Sequence, residues 1–363
     1  MRGDLAGAGG YEYGNARVRA LKGGLLDQAG YDGLLGRGLD GLLAALAEGS
    51  YRADVEAATP RFRGLAALHH ALSANLTRTL RAVRGFYGGR AGRALELLLS
   101  RWDVENLLAI VRGQARRAEA QDTLSTVVPV GALDAVAAAE AAAQPGLRQA
   151  VELLHFLGVP SRSMVGAVAR RVGEYERTGD LAALEEAALR AWGEEIAAAL
   201  AETSPERDVL AGVLREEIDR RNVLVALRLW EGRHRGETVA GDVAPFVPGG
   251  EIRPDALVVA AEAGSREGAL SVMSGTRAAR MWGEPLRRWA RDGDLPALDR
   301  AMGAASTLRA VGLFHRADPL GVGVPAAFVA AKENEVRNLR LIGVGAAMGV
   351  PPGALRAQLV VPW

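Results

Sequence analysis

Cysteine is absent from all 363 residues of the chain. That excludes a disulfide framework, a thiolate zinc site and a cysteine nucleophile. Aromatic residues make up only 5%, so any core must be built mainly from aliphatic side chains. Lysine is nearly missing: Lys22 and Lys332 stand among basic residues that are otherwise arginine. Net charge is nearly missing too, with 44 basic residues against 43 acidic. That argues against partners held by bulk charge, nucleic acid among them. The longest uncharged run, Leu341 to Leu355, is short for a membrane span and contains Pro351 and Pro352. The opening Met1-Arg2-Gly3-Asp4 lacks the apolar core of a signal peptide. The expectation is a soluble chain that anything else must hold at a membrane.

Alanine and leucine dominate what is present, and apolar residues reach 49%. These residues lose least on entering a helix. Helical patterns run over Leu34–Leu46, Leu65–Val83, Gly92–Gln114, Leu184–Leu200, Val209–Trp230 and Pro325–Met348, and β-branched alternation is confined to short pieces such as Thr126–Val130. The expected class is all-α, with two or three domains for this length.

Three segments align with one another. They are Asp103-Val104-Glu105-Asn106, Asp219-Arg220-Arg221-Asn222 and Glu335-Val336-Arg337-Asn338, each followed by an aliphatic residue. The asparagines lie 116 residues apart in both intervals. A second motif recurs after each helix, Val-Pro-x-Gly-x-aliphatic, at Val128–Leu133, Val247–Ile252 and Val350–Leu355. Gly179-Asp180-Leu181 and Gly293-Asp294-Leu295 match as well, and an acid there suits a helix N-cap. Equal spacing of the asparagines, with the further recurring motifs at variable distance from them, reads as three copies of one helical unit, residues 1–126, 127–243 and 244–363.

An acid and an asparagine three apart are neighbours on one helix surface, close to its apolar stripe. An unpaired buried amide costs about 1–3 kcal/mol. Asp103, Asn106, Asp219, Asn222, Glu335 and Asn338 are therefore expected to be structural clamps, with the amides paired to a neighbouring helix's backbone. The functional alternative, carboxylate chemistry or a proton path, is weaker because the copies need not converge.

Motifs that resemble chemistry lack their context. Gly321-Val322-Gly323-Val324-Pro325-Ala326 fits a dinucleotide loop but follows helical sequence, and Pro325 removes a donor. It reads as a glycine-rich helix entry; Gly343, Gly345 and Gly349 read as close packing followed by a helix stop. There is no P-loop, no nucleophile elbow and no metal-ligand spacing among His69, His70, His155, His234 and His315. No catalytic, cofactor-binding or metal residue is expected.

Tyr13-Gly14-Asn15-Ala16-Arg17-Val18-Arg19 near the start resembles the opening of the C subunit of prokaryotic V/A-type rotary ATPases, the relative of the eukaryotic d subunit. Asp318-Pro319-Leu320-Gly321-Val322-Gly323, Glu333–Ile342 and Gly349-Val350-Pro351 match that family's pattern too. The resemblance implies a non-catalytic central-stalk (rotor) subunit of a proton- or sodium-translocating ATPase/ATP synthase. It implies a funnel of three similar helical subdomains in pseudo-threefold arrangement, receiving the central shaft of D and F subunits and resting on the membrane proteolipid (c/K) ring. It implies no cofactor and a cytoplasmic place, peripheral to the membrane. Arg17, Arg19 and Lys22 on the opening segment are candidate partner contacts. A helical-repeat scaffold for unrelated partners and an all-α enzyme are the other classes left open.

Overall fold

The computed structural model describes residues 10–202, 204–236 and 245–363. Among these, every regular element is a helix and none is a strand, as the composition implies. No described helix is long and apolar enough to cross a membrane.

Contacts divide the chain into two compact units, one running from Ser161 to Arg309 and the other combining residues up to Pro160 with Ala310–Trp363. Packing and sequence repetition thus follow different boundaries. The expected repeat boundary at 243/244 lies outside the described residues.

In the unit built from both ends of the sequence, Gly64–Arg84 and Gly323–Ala347 pack along each other. Gly343 permits the approach: a Cβ there would lie 2.1 Å from Leu68 Cδ2. Gly345 does the same for Leu355, and Gly349 stops the helix in the left-handed region at φ +69°. The entry at Gly323 is helical, as expected for that glycine-rich stretch. One expected helix is two. Leu34–Leu46 is divided into Gln28–Leu34 and Gly38–Ala47 because Gly36 and Gly38 take φ of 80° and 68°, values open to glycine at little cost. Thr126–Val130 forms no strand but a turn between helices.

The Ser161–Arg309 unit begins with the packed pair Arg162–Thr178 and Leu181–Ala199. Gly179 at φ +72° ends the first, and the Asp180 side chain caps the second by accepting from Ala182 N. Gly293, also at φ +72°, and Asp294, which accepts from Ala297 N, repeat that punctuation. Ser204 caps the long helix Pro205–His234 by accepting from Arg207 N, with Pro205 at its first turn. Three of the chain's six tryptophans are buried in one cluster with it. Trp230 and Trp289 meet edge to face at 5.7 Å, and Trp282 and Leu286 are buried in the same cluster. Pro285 inside Arg277–Asp292 cannot complete the helical ladder, and the backbone leaves helical geometry at Trp282.

Candidate functional site

The first acid–asparagine pair lies on Gly89–Ala115, a helix that buries both residues. Asn106 grips one residue in both directions: its Nδ2 donates to Val128 O and its Oδ1 accepts from Val128 N, each at 2.8 Å. Asp103 takes the next backbone donors, Ala132 N on Oδ2 and Leu133 N on Oδ1, both at 2.9 Å. One helix turn thereby fixes the whole Val128–Leu133 motif. Its glycine has a physical reason: a Cβ on Gly131 would lie 2.2 Å from Asp103 Oδ2.

The second pair repeats this atom for atom. Asn222 exchanges two 2.8 Å bonds with Val247, and Asp219 accepts from Glu251 N and Ile252 N at 3.0 Å. A Cβ on Gly250 would lie 2.2 Å from Asp219 Oδ1. Burial pushes the Asp219 carboxyl up to about 6, against the two backbone donors that pull it down. In both copies the amide's partner is the following turn and not a neighbouring helix, which corrects that part of the expectation.

The third pair departs further. Asn338 Nδ2 donates to Val360 O at 2.8 Å and its Oδ1 accepts from Val360 N at 3.3 Å. The motif expected there, Val350–Leu355, instead opens the short helix Pro352–Arg356. Geometry excludes it as the partner. The helix runs on to Ala347, about 14 Å beyond Asn338, and the few residues to Val350 cannot return that distance. Val360 follows Asn338 by 22 residues, the same interval as Val128 after Asn106. Glu335 grips no turn. Its Oε2 accepts from Leu26 N at 2.6 Å, and its Oε1 accepts from Tyr51 OH at 2.6 Å and Lys332 Nζ at 2.7 Å. Lys332 also donates to Tyr51 OH at 2.9 Å. Lys332 and Glu335 are 3% and 1% exposed, so this is a fully buried ion pair. Burial lowers the Lys332 pKa, opposed by Glu335, and raises that of Tyr51 well above its ordinary value.

The opening segment meets the later motif that shares its family likeness. Asn15 Nδ2 donates to Pro319 O at 2.8 Å and Gly321 O at 3.0 Å, while Tyr87 OH donates to Asn15 Oδ1 at 2.8 Å. Gly14 leaves room for the Tyr87 ring, 2.2 Å from where a Cβ would sit. The sequence points to both motifs without joining them. Arg17 and Arg19 are exposed on Glu12–Lys22. The Arg17 guanidinium lies 4.9 Å from the Phe86 ring centre and 5.8 Å from that of Tyr13. Lys22 is half-buried, its Nζ 4.8 Å from the Phe314 ring centre and 5.0 Å from that of Trp363.

The clamp acids and asparagines are spent on the chain's own backbone and side chains. Among the described residues no cluster of three or more histidines or carboxylates is placed to hold a metal. The fold and its clamps define a helical architectural protein, stiffened by repeated side-chain grips on backbone. The chain belongs to the ATP synthase (C/AC39) subunit family, whose model matches residues 14–358. It is 29% identical to the C subunit of the A-type ATP synthase of Haloferax volcanii, over 96% of this chain and 97% of that one. The C subunit of the V-type ATP synthase of Deinococcus radiodurans is also 29% identical, over 96% and 91%. Its A-type counterpart in Methanosarcina barkeri is 24% identical over 98% and 94%. The chain is accordingly a non-catalytic subunit of a rotary ATP synthase complex.

Proposed function

We propose that the chain is the rotor adaptor of its complex, joining the shaft of D and F subunits to the membrane proteolipid ring and passing torque between them. The reading rests chiefly on family membership across residues 14–358. The three clamps at equal sequence spacing support it from within. Three alike units, 1–126, 127–243 and 244–363, joined head to tail close into a funnel if each turns by about a third of a circle. The chain would then lie on the cytoplasmic face, peripheral to the membrane. Ring loops are polar, so contacts to them should be hydrogen bonds and ion pairs. Arg17 and Arg19 offer exposed guanidinium groups for this, with Lys22 at the same helix end.

The absence of native cysteine allows single cysteines to be placed for covalent bonding to chosen partners. Bonding the chain to the shaft or to the ring should leave ATP-driven ion pumping intact, because parts that turn together tolerate a bond between them. Pumping stopped by either bond would sink the rotor reading. Arg17→Glu with Arg19→Glu should weaken retention of the ring, most at low ionic strength where charge is least screened.

A further inference from the structure

The first two clamps share one register beyond the turn. Asp103 takes Leu133 N and Asp219 takes Ile252 N, and a short helix starts two residues later in each case, Ala135–Ala142 and Pro254–Glu262. No single turn does this for Glu335. It takes Leu26 N, and Gln28–Leu34 likewise starts two residues on. Asp27 caps that helix by accepting from Gly30 N, as Asp134 caps its counterpart by accepting from Val136 N and Ala137 N. The asparagine side agrees. The five-residue helix Ala120–Leu124 ends four residues before the gripped Val128, and Pro352–Arg356, of the same length, ends four residues before Val360. Val360 thus stands where Val128 does, and Leu26 where Leu133 does, although the two come from opposite ends of the sequence.

A covalent turn keeps its halves a few residues apart, so a grip that breaks can reform at once; a divided turn lacks that tether. The helix Glu12–Lys22 is placed to supply one. It lies outside the repeated pattern, because Leu133 and Ile252 are reached directly from the gripped valines. Both of its ends are fastened to the last part of the chain. Asn15 donates to Pro319 O and Gly321 O, and Lys22 Nζ faces the rings of Phe314 and Trp363, the latter three residues beyond Val360. Leu25 N is bonded to Lys22 O at 3.1 Å, which leaves Glu335 one backbone donor where Asp103 has two. The spacing also fits. Four residues separate Val128 from Leu133 and Val247 from Ile252, and a peptide bond from Trp363 to Gly23 would place six between Val360 and Leu26.

We propose that the third joint is this same turn divided between the two ends of the sequence, with Glu12–Lys22 as the strap that holds its halves together in place of a peptide bond. The proposal rests on clamp geometry and not on the rotor position proposed above. Amide exchange in the full chain tests it. Asn15→Ala with Lys22→Ala should speed exchange at Leu26 and Val360 about tenfold or more, and leave Val128 and Leu133 within about twofold. A second chain omits residues 1–22, bonds Trp363 to Gly23 and opens instead between the exposed Ala201 and Glu202. Its control has the same opening, keeps residues 1–22 and ties Trp363 to Met1 through a glycine–serine linker. The bonded chain should fold and protect Leu26 and Val360 at least as well as the control does. Four amides quickening alike in the double variant, or none quickening, overturns the proposal. So does a bonded chain that fails to fold where its control folds, or that leaves Leu26 and Val360 unprotected.

Discussion

Asn222 shows why a single amide can matter to a chain of this size. Replacing it with leucine removes both bonds to Val247 and leaves a buried N–H and C=O without partners. Unsatisfied groups of this kind cost about 1–3 kcal/mol each, so Asn222→Leu should lose about 2–5 kcal/mol in denaturant unfolding. A loss under about 0.5 kcal/mol, the scale of an ordinary surface change, would mean that the grip is incidental. Asp219 adds a pH signature. Its folded carboxyl binds a proton up to about pH 6, above its value of 3.8 in an unfolded chain. Between those values the folded state holds more protons, so this group's contribution falls as pH rises through the window. Relative to Asp219→Asn, the native chain should therefore lose stability from about pH 4 to pH 6.5, by about 3 kcal/mol at most. Paired thermal scans across that range check the direction.

At the scale of the element, helix, turn and glycine form one device. Asn and Asp read opposite ends of the Val-Pro-x-Gly-x-aliphatic motif, and the glycine gives the carboxylate access to the backbone. Gly250→Ala should thus act through Asp219. We expect Gly250→Ala and Asp219→Ala to destabilise by similar amounts, and the double variant to lose clearly less than the sum. Strict additivity would separate the two. Much of this device is legible in the letters alone. Both motifs recur, the acid–asparagine pair at a fixed interval, and the clamp role follows from Asn106 and Asn222 lying near apolar stripes. What periodicity cannot supply is the partner, because a bond to backbone leaves no residue-type signal at its other end. Hence the sequence directs Asn106 to a helix and not to Val128, and makes Val350–Leu355 the third turn. Spacing carries the better clue: the first two asparagines grip valines 22 and 25 residues on, and Val360 at 22 fits that range whereas Val350, only 12 residues after Asn338, does not. Gly36 and Gly38 are equally readable as letters, but only their positive φ divides the helix expected over Leu34–Leu46.

At the scale of the molecule, the third copy is the one that joins the two ends of the sequence. Glu335 holds Leu26 and Tyr51, Asn15 holds the backbone at Pro319 and Gly321, and Arg356 pairs with Asp32 at 2.5 Å. Glu also reaches farther than Asp, which suits partners on separate segments instead of one following turn. Removing that carboxylate leaves the Lys332 ammonium buried beside an unpaired Leu26 N–H and Tyr51 hydroxyl. Breaking a buried pair from one side costs about 3–5 kcal/mol, so Glu335→Ala should weaken the chain by that order. Its reach should follow the packing and not the repeat. Amide exchange should quicken together in Glu12–Lys22, Arg52–Ala58 and Gly323–Ala347, which Glu335 and its neighbours bind into one unit. Helices of Ser161–Arg309 belong to the other unit and should keep their protection, although the residues from Pro254 to Arg309 fall in the same sequence repeat as Glu335. Quickened exchange in Pro254–Glu262 matching that in Glu12–Lys22 would show that the repeat, and not the contact unit, is what opens.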